Sequence, residues 1–100
     1  MENPFAGLPN VNEIGEVVKT YIVHFEHKTI RVEVVKTFGM QQGMEYMAVP
    51  DHALDLGGAP YAPLRNYATP EEALQELLYE MGHRYKPEIG EKQWIPFNEP

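Results

Sequence analysis

Two residue types are missing from this chain of 100 residues, cysteine and serine. Without cysteine the protein can form no disulfide, thiolate zinc site or iron–sulfur cluster, and the absence of both types removes the two commonest catalytic nucleophiles. A phosphate-binding loop is also missing, because Gly57-Gly58 is followed by Ala59-Pro60 and not by Lys and Ser or Thr. The sequence therefore predicts a protein that is not an enzyme and holds no cofactor.

Long apolar runs and an excess of positive charge are lacking as well. No stretch approaches the roughly 20 apolar residues that span a bilayer, and the first residues lack the basic start and apolar stretch of a signal peptide. The net charge of −7, from 15 acidic and 8 basic residues, disfavours nucleic acid and anionic membranes as partners. We expect a cytoplasmic protein that binds another protein, with a basic partner favoured by the charge.

The composition is that of one folded unit, since 43% of the residues are hydrophobic and a chain of this length has room for a single core. Prolines and glycines without a sustained period predict an irregular N-terminal arm over residues 1–16. Residues 17–100 are predicted to form a single α+β domain with a long 51–68 loop and an extended 86–100 tail.

Two runs rich in β-branched and aromatic residues predict an antiparallel hairpin. They extend from Val17 to Phe25 and from Ile30 to Phe38. A turn at His27-Lys28 would place Phe25 opposite Ile30, Val23 opposite Val32, Tyr21 opposite Val34 and Lys19 opposite Lys36, and a looser connection over residues 26–29 is the alternative. A third strand is predicted from Met44 to Val49, stopped by Pro50.

One helix is strongly marked after the long loop. Thr69 is a predicted N-cap, Pro70 suits the first helical position, and Glu72 completes a capping box. An apolar stripe at helical spacing follows, and Gly82 is placed to end the helix in a left-handed conformation. The fold class is therefore α+β: a three-stranded antiparallel meander with this amphipathic helix on one face. The tail from Trp94 to Phe97 would add an edge strand or pack across the sheet, giving the order β-β-β-α(-β).

The strand, strand, strand, helix order with the run Glu71-Glu72-Ala73-Leu74 is loosely similar to the HicB antitoxin family, whose small domains carry such a helix after a short meander. The likeness covers Thr69 to Leu78, and the glycine-rich approach to the helix of that family is not matched by residues 63–68. No family is assigned from this resemblance.

The four histidines do not form a metal-binding pattern. His24 and His27 are predicted to point to opposite faces of the hairpin tip, and His52 and His83 are single loop residues without ligand spacing. The sequence thus predicts no metal site. Asp51 and Asp55 would share a face if residues 51–56 formed a helical turn, although acids at that spacing are routine on protein surfaces.

Two groups of residues are candidates for partner binding. Glu72, Glu76 and Glu80 form an acidic ridge on the outer helix face, either a solvated surface or a contact for a basic partner. The long loop brings together Tyr61, Leu64, Arg65 and Tyr67, residue types that are common at interfaces. The alternative, that its aromatic residues fold back onto the core, is favoured because so small a domain has little else to bury.

These observations favour a protein-interaction module, such as a small acidic regulator or inhibitor. The second hypothesis is an accessory subunit or homo-oligomer that buries the sheet face of Val18, Ile22 and Val35 together with the C-terminal tail. The third is a small-ligand binder or enzyme that uses the 51–67 loop as a lid, with Asp51, His52, Tyr61 and Arg65 below it.

Overall fold

The computed structural model describes residues 9, 14–25, 28–38, 43–55, 57 and 60–97. Within them are two antiparallel sheets and one helix, which confirms the α+β class. The strands are β1 (Gly15–His24), β2 (Thr29–Thr37), β3 (Tyr46–Pro50), β4 (His52–Asp55), β5 (Pro60–Tyr61), β6 (Asn66–Tyr67) and β7 (Trp94–Pro96), the helix is α1 (Pro70–Arg84), and a 3-10 turn spans Gly90–Gln93. The strand orders are β1-β2-β3-β6 and β5-β4-β7.

The hairpin and third strand form as predicted, but the hairpin register is shifted by two positions. Val23 pairs with Ile30 and Tyr21 with Val32, and the Phe25 N–H donates to the Lys28 carbonyl at 2.8 Å. A shift of two keeps the β1 side chains from Lys19 to His24 on their predicted faces. The same shift places Lys19 opposite Val34, so the predicted pair of Lys19 with Lys36 does not form. A bulge between Val17 and Lys19 then changes the register again and places Val17 opposite Val35.

The region predicted as a long 51–68 loop contains three short strands. β4 occupies the place of the proposed helical turn over residues 51–56, so that turn was a wrong prediction and Asp51 and Asp55 share no helical face. β6 extends the first sheet, while β5 pairs with β4 in the second. Of the predicted N-terminal arm, Pro9 and residues 14–16 are described; β1 already begins at Gly15, and the rest lies outside the described residues.

The C-terminal tail contributes an edge strand to the second sheet and not to the meander. β7 pairs with β4, with Leu54 opposite Trp94 and Ala53 opposite Ile95. Trp94 is only 7% exposed and its ring centroid lies 5.0 Å from that of Phe25. The two sheets are therefore joined by aromatic packing as well as by the chain itself.

Helix α1 begins as predicted and ends later. The Glu72 N–H donates to Thr69 Oγ1 at 3.1 Å, which confirms Thr69 as the N-cap. Gly82 lies inside the helix and not at a left-handed cap, and the 15 residues give a length of about 22 Å. No helix among the described residues is long and apolar enough to cross a membrane.

The core lies between the inner face of the first sheet and α1. Helix residues Ala73, Leu77 and Met81 pack against it, each at most 2% exposed. The other buried members of this cluster are Ile30, Val32, Val34, Ala48, Leu54 and Trp94. Because α1 packs against β2, β3 and β6, one long face of the helix is left on the surface.

Candidate interaction surface

The outward face of α1 is set by the same spacing that forms the core. Since Ala73, Leu77 and Met81 point inward, residues about half a turn away point outward. We define the α1 surface as the outward-facing residues Glu72, Gln75, Glu76, Tyr79 and His83, of which Glu76 is half-buried and the others are exposed. It carries acidic residues toward its N-terminal end and two rings toward its C-terminal end.

Tyr79 is the exposed large hydrophobic residue of this surface. It is 60% exposed, and its ring centroid lies 4.3 Å from that of His83, one turn later. Tyrosine offers a rigid apolar ring and a polar hydroxyl at low entropic cost, which is why it is enriched at protein interfaces. The His83 ring, tilted by 57° against the Tyr79 ring, restricts the Tyr79 side chain, so part of the entropic cost of fixing it in a complex is already met.

The predicted acidic ridge is formed in part. Glu72 is exposed, whereas Glu80 is half-buried and accepts a hydrogen bond from the Tyr61 hydroxyl at 3.2 Å. The Arg84 guanidinium lies 5.4 Å from the centroid of the same Tyr61 ring, a cation–π distance. Glu80 and Tyr61, placed in separate candidate groups by the sequence, thus belong to one contact that fixes β5 on the helix.

The remaining loop candidates lie apart from the α1 surface or in the core. Tyr67 is in β6 and, like Tyr61, packs against the hydrophobic cluster. Leu64 is half-buried and Arg65 is exposed. The aromatic residues of the loop therefore fold back onto the core, the alternative that the sequence favoured.

Tyr79 and His83 were missed as site residues, although the sequence contained a signal for them. They lie four residues apart and out of phase with the Leu77 and Met81 positions that the helical stripe identifies as buried. Because the hydrophobic pattern defines the buried face of an amphipathic helix, it also identifies an aromatic residue that lies on the opposite, polar face.

An ion pair fixes the start of α1 to the first sheet. Lys19 Nζ lies 2.7 Å from Glu71 Oε2. The hydrogen bond to Glu71 raises the pKa of Lys19, and the same bond lowers the pKa of Glu71. Both side chains are largely exposed, so the pair orients the helix and adds little to stability.

A cavity of about 360 Å³ opens beside the second sheet. Its lining residues are Asp55, Gly57, Lys86, Ile89, Lys92 and Gln93. Gln93 is buried, and its amide is fully used: Oε1 accepts from the Lys86 N–H at 2.9 Å, and Nε2 donates to the carbonyls of Lys86 and Gly90. These hydrogen bonds fix the Gln93 side chain in the lining, which also carries the ammonium groups of Lys86 and Lys92 and the carboxylate of Asp55.

The described histidines have other partners. His24 Nδ1 lies 2.9 Å from Thr29 Oγ1, and His52 Nδ1 lies 2.9 Å from Asp51 Oδ1. Over the part of the chain that is described, no three His, Asp or Glu side chains converge as metal ligands would. The cavity is lined by neither Asp51, His52, Tyr61 nor Arg65, so the residues predicted to lie under a 51–67 lid do not form it.

Comparison with known proteins gives no match. No protein family model, no curated protein sequence and no solved structure matches this chain. The likeness to HicB antitoxins accordingly gains no support.

Proposed function

We propose that the protein is a non-catalytic interaction module that binds another protein, expected to be a cytoplasmic one, through the α1 surface. The observation that carries the proposal is Tyr79, which is 60% exposed and contacts the His83 ring in a tilted arrangement on a regular helix face. Helix faces with a spaced aromatic anchor are recurrent docking elements. A regulator or inhibitor of a larger protein is the role that such a rigid, single-helix surface fits.

The charges around Tyr79 favour a basic partner. Glu76 lies about one turn and Glu72 about two turns before it, and the whole chain carries a net charge of −7. Charges at the rim of an interface contribute mainly to the association rate and to partner choice, while a central aromatic residue contributes more to affinity. We therefore assign the anchoring role to Tyr79 and the steering role to the two glutamates.

Capture from an extract of the source cells tests the proposal. The full chain is immobilised, and the proteins it retains are quantified for the wild type, Tyr79→Ala and the matched control Gln75→Ala, which alters an exposed residue one turn away. Loss of an anchor that contributes about 2 kcal/mol lowers retention of a specific partner by roughly thirtyfold. Gln75→Ala is expected to retain it.

The steering role is tested separately with the double variant Glu72→Gln and Glu76→Gln. We expect slower association and a weaker dependence on salt, with the complex still formed. Retention that is the same for the wild type and Tyr79→Ala would refute the α1 surface as the binding site. A salt response unaltered by the double variant would refute only the assignment of a basic partner.

A small-ligand binder is the second candidate, favoured by the cavity beside the second sheet. Its volume of about 360 Å³ lies in the range of ligand sites. Two lysines, Lys86 and Lys92, line it with one carboxylate, Asp55, and this balance of charge favours an anion. Backbone chemical-shift changes at residues 86–93 on adding small carboxylates or phosphates, lost in the Lys86→Gln and Lys92→Gln variants, would support it. A panel that shifts no resonance there would eliminate this candidate.

A further inference from the structure

Strand β1 is the edge of the first sheet, and half of its backbone groups face outward. The Asp51 N–H donates to the Arg31 carbonyl, so the backbone groups of Arg31 point toward the β3 side. Because this direction alternates along a strand of an antiparallel ladder, the backbone N–H and C=O groups of Ile30 and Val32 point toward β1. Their partners Val23 and Tyr21 therefore use their own N–H and C=O groups within the hairpin. The outward groups of this half of β1 belong to Thr20, Ile22 and His24.

This outward edge lacks the features that usually block further pairing. Natural edge strands are protected by charged side chains, prolines, bulges or a covering element. In β1 the bulge and Lys19 protect only the first half, while Thr20 to His24 contains no acidic, lysine, arginine or proline residue. Within the described ranges no strand lies on the open side of β1. Helix α1 packs mainly on β2, β3 and β6, and its ion pair with β1 is made by Lys19, in the half of the strand that the bulge already protects.

We propose that β1 pairs with β1 of a second copy of this chain, about a two-fold axis at Ile22. In this register Ile22 lies opposite Ile22 of the partner, and Thr20 lies opposite the partner's His24. All three outward residues of each chain then form hydrogen-bonded pairs, so the two strands exchange six bonds and leave none of these groups unpaired. A register centred on Tyr21 would pair only Thr20 with Ile22 and leave His24 facing the bulge.

The side chains are compatible with the same register. Ile22 is 56% exposed, and its methyl groups would meet those of its symmetry mate on the outer sheet face. On the inner face Tyr21 lies opposite the partner's Val23, an aromatic and β-branched pair of the type that stabilises antiparallel strands. The product is a continuous eight-stranded sheet with its two helices on one side.

A cysteine-scanning experiment tests both the dimer and its register, because the chain has no cysteine of its own. In Ile22→Cys the two introduced residues are a hydrogen-bonded pair with Cα atoms about 5.5 Å apart, within disulfide range. In Thr20→Cys the symmetry mates are about 14 Å apart along the strands, which is too far. Mild oxidation is expected to link Ile22→Cys at least about ten times faster than Thr20→Cys.

Sedimentation equilibrium gives the second readout. The wild-type mass is expected to rise toward twice the monomer mass with concentration. Ile22→Pro removes an N–H that points away from β2, so the fold is retained and dimerisation is lost, whereas Ile22→Thr keeps the backbone donor and still dimerises. Circular dichroism confirms folding of each variant. A wild type that stays monomeric would overturn the proposal, and this outcome covers the case in which a different protein supplies the pairing strand. Equal oxidation rates for the two cysteine variants would overturn it as well.

Discussion

Asp51 links the two sheets through three of its own groups. Its N–H donates to the Arg31 carbonyl at 2.9 Å, its carbonyl accepts from the Phe97 N–H at 2.9 Å, and its carboxylate Oδ1 accepts from the Arg31 N–H at 3.0 Å. The residue lies between β3 and β4, at the point where the chain leaves one sheet and enters the other. One residue thus forms, with its backbone and its side chain, both the last bonds of the first sheet and the first bond of the second.

The carboxylate of Asp51 predicts a loss of stability in acid. Burial acts to raise its pKa, but hydrogen bonds from His52 and the Arg31 N–H outweigh burial and lower the pKa below its ordinary value of 3.8. The folded pKa is therefore below the unfolded one, so the stabilisation is present above pH ~4 and is lost as the pH falls through the folded pKa. Urea midpoints measured from about pH 5 downward should fall less steeply for Asp51→Asn than for the wild type.

The control for the acid experiment is Glu88→Gln, which removes one negative charge from an exposed turn residue. We expect its pH dependence to follow the wild type. If Asp51→Asn follows it too, the Asp51 carboxylate does not account for acid sensitivity.

Gln93 offers a second prediction at the level of one side chain. Its amide closes the 86–93 segment with three hydrogen bonds to backbone groups while being 2% exposed. Gln93→Leu preserves apolar volume but leaves those groups unpaired, which should lower the free energy of unfolding by about 1–3 kcal/mol. Gln75→Leu makes the same substitution on the exposed face of α1 and should change it by less than about 0.5 kcal/mol. Urea denaturation of both variants measures the difference.

Tyr85 is the opposite case, a buried polar atom without a partner. Its hydroxyl and the Trp94 indole N–H are both buried with no hydrogen bond from the described residues, and the two rings lie 5.9 Å apart. Tyr85→Phe removes an unsatisfied group and keeps the ring, so stability should be unchanged or rise by up to about 1 kcal/mol. A thermal midpoint that falls would instead indicate that a water bridges these two atoms.

At the level of elements, α1 and the hairpin were predictable because their signals are local. A cap, a proline and an apolar stripe within 69–81 define the helix start, and β-branched runs define β1 and β2. The hairpin register was missed by two because neither candidate turn contains a residue that specifies a turn type. The helix continues past Gly82 because glycine permits a left-handed cap without requiring one.

The N-cap gives a prediction at this scale. Thr69→Ala removes the acceptor for the Glu72 N–H and should cost about 1 kcal/mol, whereas Thr69→Ser keeps the acceptor and should cost much less. Chemical denaturation of the two variants measures the costs. Equal losses in both would show that the hydroxyl does not cap α1 in solution.

At the level of the whole molecule, the second sheet could not be read from the sequence. β5 has two residues and β7 three, too few for a periodic pattern, and β4 carries too few residues to distinguish a strand from a turn. The pairing of β4 with β7 joins segments roughly forty residues apart. The candidate surface was predicted in part. The outward position of its glutamates follows from helical spacing, whereas the hydrogen bond between Tyr61 and Glu80 depends on tertiary contacts that no local pattern encodes.

That long-range pairing of β4 with β7 has a consequence for the order in which the chain folds. The hairpin closes over a few residues, whereas β4 must wait for β7, and closing the longer loop costs more entropy before any contact forms. We expect Val32→Ala in the hairpin core to slow refolding, and Ile95→Val in β7 chiefly to speed unfolding, as stopped-flow fluorescence of Trp94 can measure. A folding rate that responds equally to both would mean that the two sheets condense in a single step.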